Sequence, residues 1–181
     1  MRDRSNICLP DPVSDRLSGV VFRTAHGSHL YGLAHAGSDR DTFIVTFEDH
    51  GRARQTMNGD DDTVRVGWRT FLERAKSGSH QSVEALFSTQ KLWTPDGRSL
   101  RPLIEGTLVT GGEVAEKYER TIKKFAHGDF KKRRHAARLA LSLRGLRACG
   151  RFNPELTEEE KRWTRMMAEY SGSMLVRFLL V

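Results

Sequence analysis

The chain has 181 residues, with 30 Lys plus Arg against 23 Asp plus Glu, a formal net charge of +7 and 38% hydrophobic residues. That length allows one domain, or one with a small helical appendage, and at this size roughly 70% of the unfolded surface can be buried, so a core needs no staples. No run of 18 apolar residues exists to span a membrane, the first six residues are polar and lead to Pro10 and Pro12 rather than to an apolar signal core, and Cys8 and Cys149 have no metal-ligand spacing, so a reduced, cytoplasmic protein is expected.

Residues 1–18 read as an irregular arm with a helical turn near Asp15. Val20, Val21 and Phe22, running to Ala25, read as a buried strand that stops at His26-Gly27-Ser28. Ser28 to Leu33 reads as a short helix with Ser28 as its N-cap. Asp39, Asp41, Phe43, Val45 and Phe47 alternate on one face of a second strand. Residues 49–62 read as a polar excursion, followed by a third strand over Thr63 to Val66. Trp68, Phe71, Leu72 and Ala75 make one helical stripe closed by Gly78, and Val83 to Phe87 a second short helix in which Glu84 is expected at a half-exposed surface. Residues 93–102 are turn-rich, a helix of uncertain start follows, and Gly111-Gly112 is the expected joint between two units.

Beyond that joint, residues 113–127, 130–149 and 157–170 read as helices. Ala136, Leu139, Leu143 and Leu146 form the buried stripe of the second, and Thr157 with Glu160 forms a capping box for the third. The apolar end from Met174 to Val181 is expected to pack on this helical unit or on a second copy. The pattern is a small α/β unit followed by helices. The charge follows the same division: residues 1–112 carry 14 basic and 14 acidic side chains, whereas 113–181 carry 16 basic and 9 acidic, which accounts for the whole +7. Between 117 and 151, 12 basic residues face only Glu119 and Asp129, a composition that attracts polyanions.

Chemistry concentrates in His26-Gly27-Ser28-His29-Leu30-Tyr31-Gly32 and Gly37-Ser38-Asp39-Arg40-Asp41. A strand ending in Gly-Ser lets an anion approach free amides and a hydroxyl. Asp39 and Asp41, two apart at a strand start, project from one face and suit one or two hard divalent cations. Tyr31 and Gly32 are expected to be structural, as a buried anchor and a helix end. His26, His29 and His35 are too irregularly spaced to favour zinc.

These motifs resemble the DNA polymerase β-like nucleotidyltransferase superfamily, in particular a bacterial and phage branch with Gly27-Ser28-x-x-Tyr31-Gly32 and Ser38-Asp39-x-Asp41. Phe71, Lys76-Ser77-Gly78, the Val83–Ser88 stretch and Lys132-x-x-His135-Ala136-x-Arg138-Leu139 extend the likeness over roughly residues 20–150. The resemblance implies an α+β fold with a small palm-like mixed sheet and flanking helices over 1–112, and a basic helical substrate-binding region over 113–181. It implies transfer of a nucleoside monophosphate from an NTP, with Mg²⁺ or Mn²⁺ on Asp39 and Asp41, and with Gly27 and Ser28 on the β- and γ-phosphates. Asp62 is the preferred third carboxylate, ahead of Asp61 or Asp60. His135, Arg138 and Lys132 would contact phosphate, and Lys131, Arg134, Lys117, Lys123 and Lys124 would extend a patch toward an RNA or DNA acceptor. Protein nucleotidylation, small-molecule modification and a non-catalytic binding module are the alternatives.

Overall fold

The computed structural model describes residues 19–59 and 61–180, so the expected arm, Cys8 and Asp60 lie outside the described residues. The fold is α+β: five strands form one mixed sheet, with helices packed on it and beyond it. The strands are β1 (Val20–Ala25), β2 (Thr42–Thr46), β3 (Arg54–Asn58), β4 (Asp61–Gly67) and β5 (Leu92–Trp93). Their spatial order is β3-β4-β2-β1-β5. β2 and β4 run parallel, with Thr42 opposite Thr63, while the other neighbours are antiparallel.

The three expected strands are present, but the second begins only at Thr42, so Asp39 and Asp41 lie in the segment before it rather than on its face, and the polar excursion over 49–62 contains a strand of its own. Every residue of β3 is exposed, so the strand carries no apolar period by which to recognise it. It is an edge strand held by pairing with β4 through Asn58 opposite Asp61, and Gly59 takes the positive φ of +63° that the turn requires. β5, two residues long, overlaps the turn-rich passage only at Trp93 and is too short to show a period.

Among the described residues the α-helices are α1 (Gly27–Leu30), α2 (Trp68–Lys76), α3 (His80–Phe87), α4 (Arg101–Glu105), α5 (Gly112–Ala126), α6 (Phe130–Cys149), α7 (Glu158–Met167) and α8 (Gly172–Leu180), of which α8 is expected from the sequence only as an apolar packing segment. α1 begins at Gly27, with His26 in the N-cap position, so Ser28 is not the cap expected of it. The chain turns as soon as β1 ends. α2 has no cap from its own N-cap residue; Asp49, from the loop after β2, accepts hydrogen bonds from the Thr70 amide at 2.7 Å and hydroxyl at 2.6 Å. A Cβ on Gly67 would fall 2.4 Å from the Asp49 Cα, so this non-local cap depends on glycine there. Asp129 caps α6 through the Lys132 amide at 2.8 Å, and the Thr157–Glu160 capping box of α7 is present.

The apolar faces meet in one cluster. Phe71 of α2 packs edge-on to Phe22 of β1 at 5.6 Å and against Phe43 of β2 at 5.9 Å. The same cluster continues through Val109, Val114, Tyr118 and Ile122 into Ala136, Leu139 and Leu143, crossing the Gly111-Gly112 joint. α5 packs along α6, and α8 covers both through Leu175 and Leu179, which accounts for the apolar end of the sequence. No helix among the described residues is long and apolar enough to cross a membrane. Phe71 is fully buried at the centre of this packing. Phe71→Ala is therefore expected to cost about 3–5 kcal/mol in urea unfolding, with no shift in the slope of the transition.

Candidate functional site

β1 ends in the turn that opens the site. The His26 amide donates to the Asp41 carbonyl at 2.9 Å, which ties the turn to the start of β2. Gly27 has φ +59°, and a Cβ placed on it would lie 2.0 Å from Asp41 Oδ2. Glycine is thus required twice, for the conformation and for the carboxylate that occupies the side-chain space. Parallel pairing of Thr42 with Thr63 brings Asp41 and Asp62 to neighbouring positions at the same end of the sheet. Asp39, Asp41 and Asp62 line a cleft of about 450 Å³ that also contains Gly27 and Ser28. Burial raises the Asp41 carboxyl above its ordinary value, and the negative charges of Asp62 and Asp39 raise it further. Asp62 accepts a hydrogen bond from Gln55 on one oxygen, while its Oδ1 is buried and without a partner.

The N-terminal part of α6 forms the opposite wall. Lys131, Arg134, His135 and Arg138 line the cleft, as helical spacing places them. Lys131 and Arg134 have no carboxylate partner among the described residues. Lys132, expected on phosphate, lies outside the cleft lining, with its ammonium 4.0 Å from Asp129, because one step along the helix turns it away. Arg133 donates to the carbonyls of Ala168 and Gly128 at 2.7 and 2.9 Å and so joins α6 to its neighbours. Lys117, Lys123 and Lys124 belong to α5 and do not line the cleft.

Arg138 is not the free phosphate ligand expected of it. Its side chain is 2% exposed, and it donates to Glu84 Oε1 at 2.6 Å and contacts His135 Nδ1 at 2.8 Å. The guanidinium stacks 3.6 Å from the centre of the Tyr31 ring, and the Tyr31 hydroxyl donates to the other oxygen of Glu84. Glu84, expected at a half-exposed surface, is completely buried. Its α3 face reads as polar only because its partner lies 54 positions away. Burial opposes the Glu84 charge, but Arg138 foremost, with His80, outweighs it and holds the carboxyl well below the carboxylate range. His26, His80 and His135 surround the pair. Burial, then the positive charge of Arg138, keeps all three below the usual imidazole pKa despite Glu84. This floor escaped the sequence reading except for Tyr31, whose role as a buried anchor it fulfils.

The chain matches neither any protein-family model nor any curated protein. Among the described residues, no three His, Cys, Asp or Glu side chains are gathered closely enough to form a ready-made metal cage. The site is an open cleft with an acidic wall, a basic wall and a buried floor centred on the Glu84–Arg138 ion pair.

The floor makes two measurable differences. Glu84→Gln and Arg138→Met should each lower the unfolding free energy by about 3–5 kcal/mol, because each strands the other member of a buried pair; the double variant should lose less than the sum, as read by urea titration. The histidines set a pH dependence. Unfolded, they bind protons as pH falls through 6.5; folded, their lowered pKa values delay that uptake. The unfolded state then holds more protons, so their contribution is complete above that pH and is lost as pH falls toward the folded values. The urea midpoint should fall between about pH 7 and pH 5.5, and His80→Asn should flatten that slope.

Proposed function

We propose that the protein is a divalent-metal-dependent nucleotidyltransferase of palm-like architecture that moves a nucleoside monophosphate from an NTP to an acceptor hydroxyl and releases pyrophosphate. The observation that carries this reading is the convergence of Asp39, Asp41 and Asp62 opposite Lys131 and Arg134, with the Gly27-Ser28 turn in the same cleft. Carboxylates meant only for solubility do not gather in a cleft around a buried, unpartnered carboxylate oxygen.

Two features support a cation here. The buried Asp62 Oδ1 has no partner, and Asp41 is raised by burial first and then by the charges of Asp62 and Asp39, so a positive charge would relieve the unpartnered oxygen and the repulsion. The donor set is all oxygen, the chemistry of Mg²⁺ or Mn²⁺. Asp39 and Asp41 would hold such an ion, with Asp62 beside them and substrate phosphate oxygens supplying the remaining ligands, and when bound it would supply charge neutralisation at the polyphosphate. Ser28 and the Gly27 backbone would hold the β- and γ-phosphates, while Lys131 and Arg134 offset their charge. The acceptor oxygen bonds to the α-phosphorus, the bond from that phosphorus to the bridging oxygen breaks, and the hydroxyl proton leaves toward the carboxylates. Arg138, held by Glu84, positions His135 and Tyr31 beneath the substrate. Residues 1–112 in this scheme supply the acids and 113–181 the basic wall, which favours a nucleic-acid end as acceptor.

The test is incubation with α-labelled NTPs, Mg²⁺ or Mn²⁺, and RNA, DNA and protein acceptors. Label transfer is expected, reduced about a hundredfold or more by Asp41→Asn or Asp62→Asn. Transfer that survives both substitutions removes the carboxylates from the site, and no transfer to any acceptor overturns the activity. Lys131→Ala and Arg134→Ala should each weaken RNA binding and lower its salt slope by about one.

A further inference from the structure

The cleft contains a large aromatic ring that the fold leaves unused. Phe130, the first residue of α6, is 40% exposed and lines the cleft together with Gly27, Ser28, Asp39 and Asp41. Among the described residues it belongs to neither apolar cluster and pairs with no other ring. A single exposed Phe is ordinary on a protein surface. This one is fixed at a capped helix start, where Asp129 accepts the Lys132 amide at 2.8 Å. Its neighbours on the cleft wall are Lys131 and Arg134, two cations without carboxylate partners. A free apolar face on the same cleft wall as two unpaired cations matches a nucleotide, which offers a flat base and a negative phosphate side by side.

We infer that Phe130 is a stacking platform for a nucleobase bound in the cleft. It deepens the nucleotidyltransferase reading, on which it rests, by naming the group that receives a base where the acids and the turn take only phosphate. Every base has a π-face, so the platform would position a nucleotide without selecting among bases. The base comes either from the free NTP or from the terminal nucleotide of an acceptor strand.

The experiment uses the full chain with Mg²⁺ and three probes: ATP, inorganic tripolyphosphate and a short oligo(A). Phe130→Ala should weaken ATP or oligo(A) binding about tenfold and leave tripolyphosphate within about twofold, with an unchanged melting temperature. Phe130→Trp should restore the lost affinity, and its added emission should be quenched by the base-bearing probe but not by tripolyphosphate. Quenching by ATP assigns the platform to the incoming nucleotide; quenching by oligo(A) alone assigns it to the acceptor. Equal loss of tripolyphosphate and base-bearing probes in Phe130→Ala, or no quenching by either ATP or oligo(A), overturns the platform. Quenching in a protein that transfers no label leaves the platform standing and removes the catalytic reading, so the two fail separately.

Discussion

Glu84 and Arg138 come from helices 54 positions apart and meet in a place that water does not reach. Moving two charges into such a place is costly, and it is tolerated because both carboxylate oxygens of Glu84 and the guanidinium of Arg138 find partners there. Glu84 receives Arg138 on one oxygen and the Tyr31 hydroxyl on the other, and the remaining guanidinium edge meets His135. Through these contacts α3, α6 and the turn after β1 are held to one another. An apolar replacement would fill the same volume and could raise stability, but it would not set the angle between the acidic and basic walls. The arrangement of the cleft is fixed by that one buried ion pair.

Local pattern reported local structure well. β1, α2 and α6 appear where alternation or a helical stripe placed them, and α7 begins at its capping box, because each carries its own burial period or cap. β3 was invisible because an exposed edge strand has nothing to alternate. Serine after a strand reads as a helix cap, whereas the positive φ at Gly27 starts the turn one residue earlier. In the site, Asp39, Asp41, Gly27 and Ser28 could be read because they stand close in sequence, and Asp62 because a short strand begins there. Glu84 was misjudged since nothing within a helix turn of it announces a cation. Arg138 was given to a ligand for the same reason.

The basic run at the start of α6 shows how far net charge can be trusted. Of four consecutive cations, two line the cleft, one faces Asp129 and one is spent on carbonyl groups of neighbouring segments. Farther along, Arg147 pairs with Glu119 of α5. The excess of +7 is a property of the sequence, but the field in the cleft is made by the few side chains that helical rotation turns inward.

The parallel pairing of β2 and β4 has a consequence for how the chain can vary. Both strands enter the sheet from the same side, so the residues before them arrive together however long the path between. That path, the loop after β2 and the β3 edge, lies at the outer border of the sheet. It can lengthen, shorten or acquire a new decoration without separating Asp41 from Asp62, provided that Asp49 still reaches the start of α2. The end of the sheet that carries Asp41 and Asp62 thus keeps its register through change in the loop after β2, and among the described residues only Gln55 of β3 ties that stretch to one of its carboxylates.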